Sequence, residues 1–176
     1  MGRPEEREDT VPEQKITTFL WFDDQAEEAA RFYTGLFPDS RITEVQRYGE
    51  AGPGEAGSVM TVAFDLAGQQ YIALNGGPLF PFTEAISLQV GCDDQAEVDR
   101  LWAALTEGGQ ESACGWLKDR YGLSWQITPR RLIELAGAPD TAGAQRVMRA
   151  MLQMKKIDIQ ALEDAYADGG GTGPAS

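Results

Sequence analysis

The sequence has 176 residues, 42% of them hydrophobic, and a formal net charge of -13 with no histidine. This length and composition can bury a core, either as one large domain or as two small modules packed together. The acidic charge repels phosphate backbones and disfavours a nucleic-acid partner. Without imidazole, histidine-dependent nucleophile sites, HExxH zinc sites and two-histidine iron sites are excluded, so a general base would have to be Asp, Glu, Tyr, Lys or Cys.

The sequence indicates a cytoplasmic protein with no membrane partner. No run approaches the roughly 18 apolar residues that a membrane-spanning helix needs, and the opening MGRPEEREDT is charged where a signal peptide is apolar. Cys92 and Cys114 lie far apart and form neither a disulfide framework nor a CxxC pair. We expect Cys114 to be a small buried hydrophobe, since no histidine could activate its thiol.

After a polar stretch over residues 1–14, predicted to be a flexible tail, the pentapeptide DDQAE occurs at residues 23–27 and again at 93–97. This repetition indicates an internal duplication. In each copy an aspartate stands three residues before a glutamate, Asp24 before Glu27 and Asp94 before Glu97. That spacing predicts a capping box at the start of a helix, which favours a structural role for these carboxylates.

The first module is predicted over residues 15–78. The strand ITTFLWF precedes the first DDQAE, and the helix that follows presents one apolar face. Three strands follow, at about 41–48, 58–66 and 69–75, with the glycine-rich segment 49–57 as a loop. The predicted helix face consists of Ala29, Phe32, Tyr33 and Leu36.

The second module is predicted over residues 79–129 with the same order of elements. The strand AISLQVGC precedes a helix whose apolar face consists of Val98, Leu101, Trp102 and Leu105. Shorter strands follow at about 111–113, 115–118 and 123–128, and residues 118–120 are predicted to be a solvated hairpin tip, where Lys118 or Arg120 could instead meet an anionic ligand. Both modules therefore read as βαβββ units, which predicts an α+β fold with a curved mixed sheet around a shared cleft.

Helices are predicted over residues 130–166, followed by a flexible glycine-rich tail over 167–176. One helix should start at Pro139 or Asp140 and another at Asp158. The predicted apolar stripes are Val147, Met148, Met151 and Leu152 on the first helix, and Ile159, Leu162 and Tyr166 on the second.

Several segments in order carry a family resemblance: FLWFDDQAEEAARFY, NGGPLFPFTEAISLQVGCDDQAEVDRLWAAL, CGWLKDRYGLSWQITP and AQRVMRAMLQMKKIDIQALEDAY. They resemble the PhnB-like branch of the vicinal-oxygen-chelate superfamily, which includes glyoxalase, extradiol dioxygenases and bleomycin and fosfomycin resistance proteins. This branch often carries the label 3-demethylubiquinone-9 3-methyltransferase. The resemblance covers roughly residues 15–166 and implies duplicated βαβββ modules and a homodimer.

The resemblance also implies where a metal site would lie in a metal-dependent relative. The ligand glutamate falls on Gln126, and the histidines fall on Ser87 and on Thr17 or Thr18, with a further pocket position at Asn75. Neutral amides and hydroxyls hold transition metals weakly, so we expect no metal and no cofactor. These side chains can instead orient a small molecule in an apolar cleft, to which Phe19 and Trp21 could contribute aromatic surface.

The leading hypothesis is therefore a metal-independent protein that binds a small molecule, whether or not it catalyses a reaction. A metal-dependent lyase or dioxygenase is disfavoured by the replaced ligands. A methyltransferase needs S-adenosylmethionine, which is normally held by a glycine-rich loop after a parallel strand, and the sequence has no such loop. Sequestration of a drug or metabolite needs only a pocket and a dimer, and it stays open as an analogy with the resistance proteins.

Overall fold

The computed structural model describes residues 14–168, which form two units: the first runs to Leu79 and the second begins at Phe80. Each unit contains a strand, a helix and three further strands, as the duplication predicts, and the second unit also contains three C-terminal helices. The α+β class is thus confirmed. Over the described residues, no helix combines the length and the apolar character that a membrane crossing requires. The predicted tails, residues 1–14 and 167–176, lie outside the described range except for residues 14, 167 and 168.

The first unit is a mixed four-stranded sheet with one helix. Its strands lie in the order β1-β4-β3-β2, with β1 parallel to β4 and the other pairs antiparallel. The elements are β1 (Thr18–Phe22), α1 (Ala26–Leu36), β2 (Arg41–Arg47), β3 (Val59–Leu66) and β4 (Gln69–Asn75).

The core of the first unit lies between α1 and one face of this sheet. Tyr33 on the helix is fully buried, and its ring centroid lies 6.4 Å from that of Phe64 on β3. Phe64 in turn stacks on Tyr71 of β4 at 5.6 Å. Because side chains alternate along a strand, the residues between these buried positions, such as Phe19 and Ile72, lie on the opposite face.

The second unit repeats this plan and extends it. Its strands lie in the order β5-β8-β7-β6, with β5 parallel to β8. The elements are β5 (Ser87–Cys92), α2 (Gln95–Thr106), β6 (Gln110–Glu111), β7 (Trp116–Lys118), β8 (Ser124–Pro129), α3 (Arg130–Ala136), α4 (Thr141–Met151) and α5 (Ile159–Ala167).

The two predicted capping boxes have different outcomes. In the second unit the box forms: Asp94 accepts from the amide of Glu97, and Glu97 accepts from the amide of Asp93, both at 2.8 Å. In the first unit the prediction is wrong, because the N-cap residue Gln25 makes no side-chain cap bond. The Asn75 side chain, 49 residues away, accepts the amide hydrogen of Ala26 at 2.8 Å instead.

The C-terminal helices begin largely where the sequence predicts. Asp140 and Asp158 cap α4 and α5 by accepting from backbone amides. The short helix α3 was not predicted separately. The predicted methionine stripe is only half correct, because Met148 and Leu152 are 41% and 59% exposed. The buried cluster that joins these helices comprises Leu132, Leu135, Val147, Ile157 and Leu162.

Two local predictions in the β7–β8 region are wrong. Asp119 is not solvated: it is 3% exposed, and its carboxylate accepts from the amides of Tyr121 and Leu123 and from the indole of Trp125. Cys114 is only half-buried and adopts a left-handed backbone with φ of 59°. Its amide donates to the carbonyl of Met154, so this residue shapes a connection to the C-terminal helices.

Candidate functional site

A polar face covers one side of the sheet in the second unit. On β8, Trp125 and Ile127 are buried, and α2 packs against β5, β7 and β8. Strand alternation therefore directs Gln126 away from α2. Ser87 on the parallel neighbour β5 lies on the same face, and the Gln126 amide nitrogen donates to its hydroxyl at 2.8 Å. The structure thus brings together these two predicted site residues.

More polar side chains extend this face along the same two strands. Gln89 on β5 is paired in register with Gln126 and donates to the Thr128 hydroxyl at 3.3 Å. Trp116 on β7 is the antiparallel partner of Gln126 and is half-buried. The face therefore offers an aromatic surface beside amides and hydroxyls that can both donate and accept hydrogen bonds.

A charged pair lies at the β7 end of the same face. Lys118 forms a 2.5 Å ion pair with Glu84, and their side chains are 32% and 64% exposed. The hydrogen bond from the Lys118 ammonium lowers the pKa of the Glu84 carboxyl. Lys118 is the register partner of Ser124, which is 1% exposed. Sequence reasoning missed Ser124, since a serine at a strand end carries no local functional signal.

The donor set on this face does not fit a transition metal. Gln126 and Ser87 contribute only neutral groups, and the Gln126 amide is already engaged with the Ser87 hydroxyl. Such metals are held by imidazole, thiolate or carboxylate ligands. Across residues 14–168, no group of three or more His, Cys, Asp or Glu side chains is arranged to hold a metal ion.

The predicted site residues of the first unit fall into two groups. Phe19 and Trp21 lie on the sheet face opposite α1, in register with Ile72 and Leu74 of β4, and Phe19 is 58% exposed. Thr17, just before β1, is half-buried. The Trp21 indole donates to the carbonyl of Gly77 at 2.8 Å, which fixes the ring beside the end of β4. This face is therefore apolar and aromatic.

Asn75 lies on the α1 side of the sheet, apart from Phe19 and Trp21. Its side-chain oxygen caps α1, and its side-chain nitrogen donates to the carbonyl of Val59 at 3.1 Å. Tyr48, which the sequence did not single out, donates its hydroxyl to the Asn75 carbonyl at 2.7 Å. The glycine-rich loop leaves room for this tyrosine ring, because a Cβ at Gly54 would overlap it.

Two open cavities lie at helix N-termini. The first, of about 470 Å³, lies beside α1 and is lined in part by Asp23, Asp24 and Tyr48 together with Asn75. The second, of about 380 Å³, lies between the starts of α2 and α5, where Gln95 accepts from the amide of Ile159. Carboxylates are the most numerous charged groups in both linings, and neither cavity contains the Ser87–Gln126 pair.

Comparisons with known proteins agree with this fold. The family model described as 3-demethylubiquinone-9 3-methyltransferase matches residues 14–128. The PhnB protein from Bacillus cereus is 41% identical, with a TM-score of 0.61, and the alignment covers 66% of this chain and 99% of that one. No curated protein matches the chain.

A protein structure from Pseudomonas aeruginosa is 22% identical, with a TM-score of 0.55, over 66% of this chain and 97% of that one. The fosfomycin resistance protein FosX from Mesorhizobium loti is 14% identical, with a TM-score of 0.44, over 64% of this chain and 88% of that one. The family match includes both βαβββ units but ends before α3. The three C-terminal helices are thus outside the matched region.

Proposed function

Because the chain belongs to the 3-demethylubiquinone-9 3-methyltransferase family and shares the vicinal-oxygen-chelate fold, we propose that it binds a small organic molecule without a metal ion. The observation that carries this proposal is the 2.8 Å hydrogen bond between Gln126 and Ser87. These residues stand where the family resemblance puts metal ligands. Here they form a neutral, hydrogen-bonded pair, and both residues are half-buried.

The chemistry of the Gln126 face supports recognition of a ligand with both polar and planar parts. The Gln126 amide can both donate and accept, and the Ser87 hydroxyl can do the same, so the pair can orient a carbonyl or hydroxyl group. Trp116 beside them supplies a flat apolar surface. Binding sites commonly combine apolar surface with a few placed polar groups in this way.

In the first unit, the aromatic surface of Phe19 and Trp21 supports the same type of ligand. Phe19 is exposed although it is large and apolar, and it is next to Ile72 on the same face. An exposed apolar patch of this kind is typical of binding surfaces. We propose that Phe19, Trp21 and Thr17 provide an apolar contact surface within the first unit, and that Asn75 contributes there only by shaping the end of β4.

Methyl transfer receives less support than binding. S-adenosylmethionine is commonly held by a glycine-rich turn after the first strand of a parallel pair. In this chain the turn after β1 reads Asp23-Asp24-Gln25 and the turn after β5 reads Asp93-Asp94, with no glycine in either. Only the second turn caps its own helix, through Asp94, and neither turn has the glycine that lets a cofactor approach the backbone closely.

A thermal-shift panel on the purified full chain tests the proposal. The panel includes S-adenosylmethionine, Mn²⁺, Ni²⁺, Zn²⁺, quinone precursors and planar antibiotics. We expect one of the aromatic organic compounds to raise Tm by several degrees, because a ligand that binds only the native state stabilises it by mass action. Comparable stabilisation by a divalent metal or by S-adenosylmethionine would refute the proposal.

Two matched variants locate the binding site. Gln126→Leu removes the polar group from the β8 face, and Gln160→Leu makes the same change on the exposed surface of α5, where Gln160 bonds to Asp164. The first variant should lose the ligand-induced shift and the second should keep it. If both variants keep the shift, the compound binds elsewhere.

Cytoplasmic location and a homodimer stay predictions, and light scattering on the purified chain tests the dimer.

A further inference from the structure

We propose that Lys118, Ser124 and Ser87 together bind an oxyanion on the ligand, namely a carboxylate, phosphate or phosphonate group. This inference rests on the proposed function, because it assigns a chemical class to the ligand of the same polar face. It adds a cation and a second hydroxyl to the Gln126–Ser87 pair.

These three residues form one row across three adjacent strands. Lys118 on β7 pairs in register with Ser124 on β8, and Ser124 pairs in register with Ser87 on β5. Directly paired residues have Cβ atoms about 5 Å apart, so a single group of three oxygens can span neighbouring members of the row. Ser124 lies two residues before Gln126 and therefore on the same face of β8.

The Ser124 hydroxyl is the observation that points to a ligand. It is a buried side-chain oxygen without a hydrogen-bond partner in the described part of the chain, on a residue that is only 1% exposed. Buried polar groups almost always have partners, because an unmade bond is unfavourable after desolvation. An oxygen atom placed over the row would accept the hydrogen that Ser124 leaves unused.

The charge at the row selects an oxygen anion. Lys118 supplies an ammonium with three donors, and the two serine hydroxyls each supply one more. The Lys118 ammonium already pairs with the Glu84 carboxylate at 2.5 Å, and the Lys118 side chain is 32% exposed. Because the Glu84 side chain is 64% exposed, it can return to solvent when a ligand oxyanion takes its place.

Isothermal titration at fixed ionic strength tests the proposal with three aromatic probes: phenylphosphonate, benzoate and the neutral benzyl alcohol. We expect at least one of the two anions to bind about tenfold more tightly than benzyl alcohol, because charge-assisted hydrogen bonds are stronger than neutral ones. The comparison between phosphonate and benzoate separates a tetrahedral from a planar head group.

Lys118→Met should remove the tenfold preference for the anion. Lys156→Met is the matched control: it deletes the same charge at a lysine that pairs with Asp99 on α2, and it should keep the preference. Glu84→Gln should tighten anion binding, because it removes the competing carboxylate. Ser124→Ala should weaken anion binding several-fold and raise the Tm of the unliganded protein, since it removes an unpartnered buried hydroxyl.

The failures of the two proposals are distinguishable. Equal binding of benzyl alcohol and the anions, lost in Gln126→Leu, would overturn the oxyanion row and leave the proposed function intact. Anion binding that survives Lys118→Met would also overturn the row. If Ser124→Ala does not fold, Lys118→Met and Glu84→Gln still decide the question, because both residues are partly exposed.

Discussion

The start of α1 offers a sharp test of the tertiary cap, through the variants Asn75→Ala, Asp94→Ala and Asp24→Ala. The Asn75 side chain accepts from the amide of Ala26 and donates to the carbonyl of Val59. Loss of an N-cap acceptor costs about 1 kcal/mol. Loss of the second hydrogen bond costs about 1 kcal/mol more. We therefore expect Asn75→Ala to lower the free energy of unfolding by about 2 kcal/mol.

The duplicated module supplies the internal comparison. Asp94→Ala removes the side-chain cap of α2 and should cost about 1 kcal/mol. Asp24→Ala should cost less than about 0.5 kcal/mol, because the first module has no side-chain bond from the capping-box position. Asn75→Asp keeps the acceptor but loses the donor to Val59, and it should fall between wild type and Asn75→Ala.

Urea denaturation followed by circular dichroism and tryptophan fluorescence measures these differences. Residual helicity and native fluorescence without urea confirm that each variant folds. If Asp24→Ala lowers the free energy of unfolding as much as Asp94→Ala does, the reasoning is refuted. Such a result would mean that Asp24, and not Asn75, caps α1. A loss for Asn75→Ala of only a few tenths of a kcal/mol would refute it equally.

Three further predictions concern local geometry. Gly109→Ala should lower the free energy of unfolding by about 2 kcal/mol, because its Cβ would overlap a backbone carbonyl. Gly35→Ala in α1 should raise that free energy by about 0.5 kcal/mol, because its Cβ meets no other atom. Urea denaturation of the two variants compares these effects. Asp119→Asn should cost about 2 kcal/mol in the same assay, because an amide cannot accept every hydrogen bond that the buried carboxylate accepts, and an unchanged midpoint would contradict this. Burial raises the pKa of the Cys92 thiol from 9.0 to about 12, so the native state retains a proton that the unfolded chain releases. The free energy of unfolding should therefore fall as pH rises from about 9 toward 12, and this fall should be smaller in Cys92→Ala. Iodoacetamide should label Cys92 rapidly only after denaturation.

The sequence by itself determined the duplicated plan of this protein. Period-3.6 and period-2 patterns identified α1, α2 and the strands around them, because each pattern reflects which side of an element meets the core. Alternation along SWQIT was enough to turn Gln126 away from the buried Trp125. The cap at Asp94 was predictable for the same reason, since its donor and acceptor are three residues apart.

Tertiary structure decided the interactions whose two partners are distant in the chain. Asn75 reaches the start of α1 because β4 lies parallel to β1. The local sequence at Asp24 gives no sign that a residue from β4 caps this helix. A shorter-range case is Asp119, which accepts from the Trp125 indole only once β7 and β8 pair around their turn. The row that contains Ser124 exists only once β7, β8 and β5 pair in register. Local patterns specify which face a residue occupies, whereas strand register selects the neighbours it meets there, and register is a property of the folded chain.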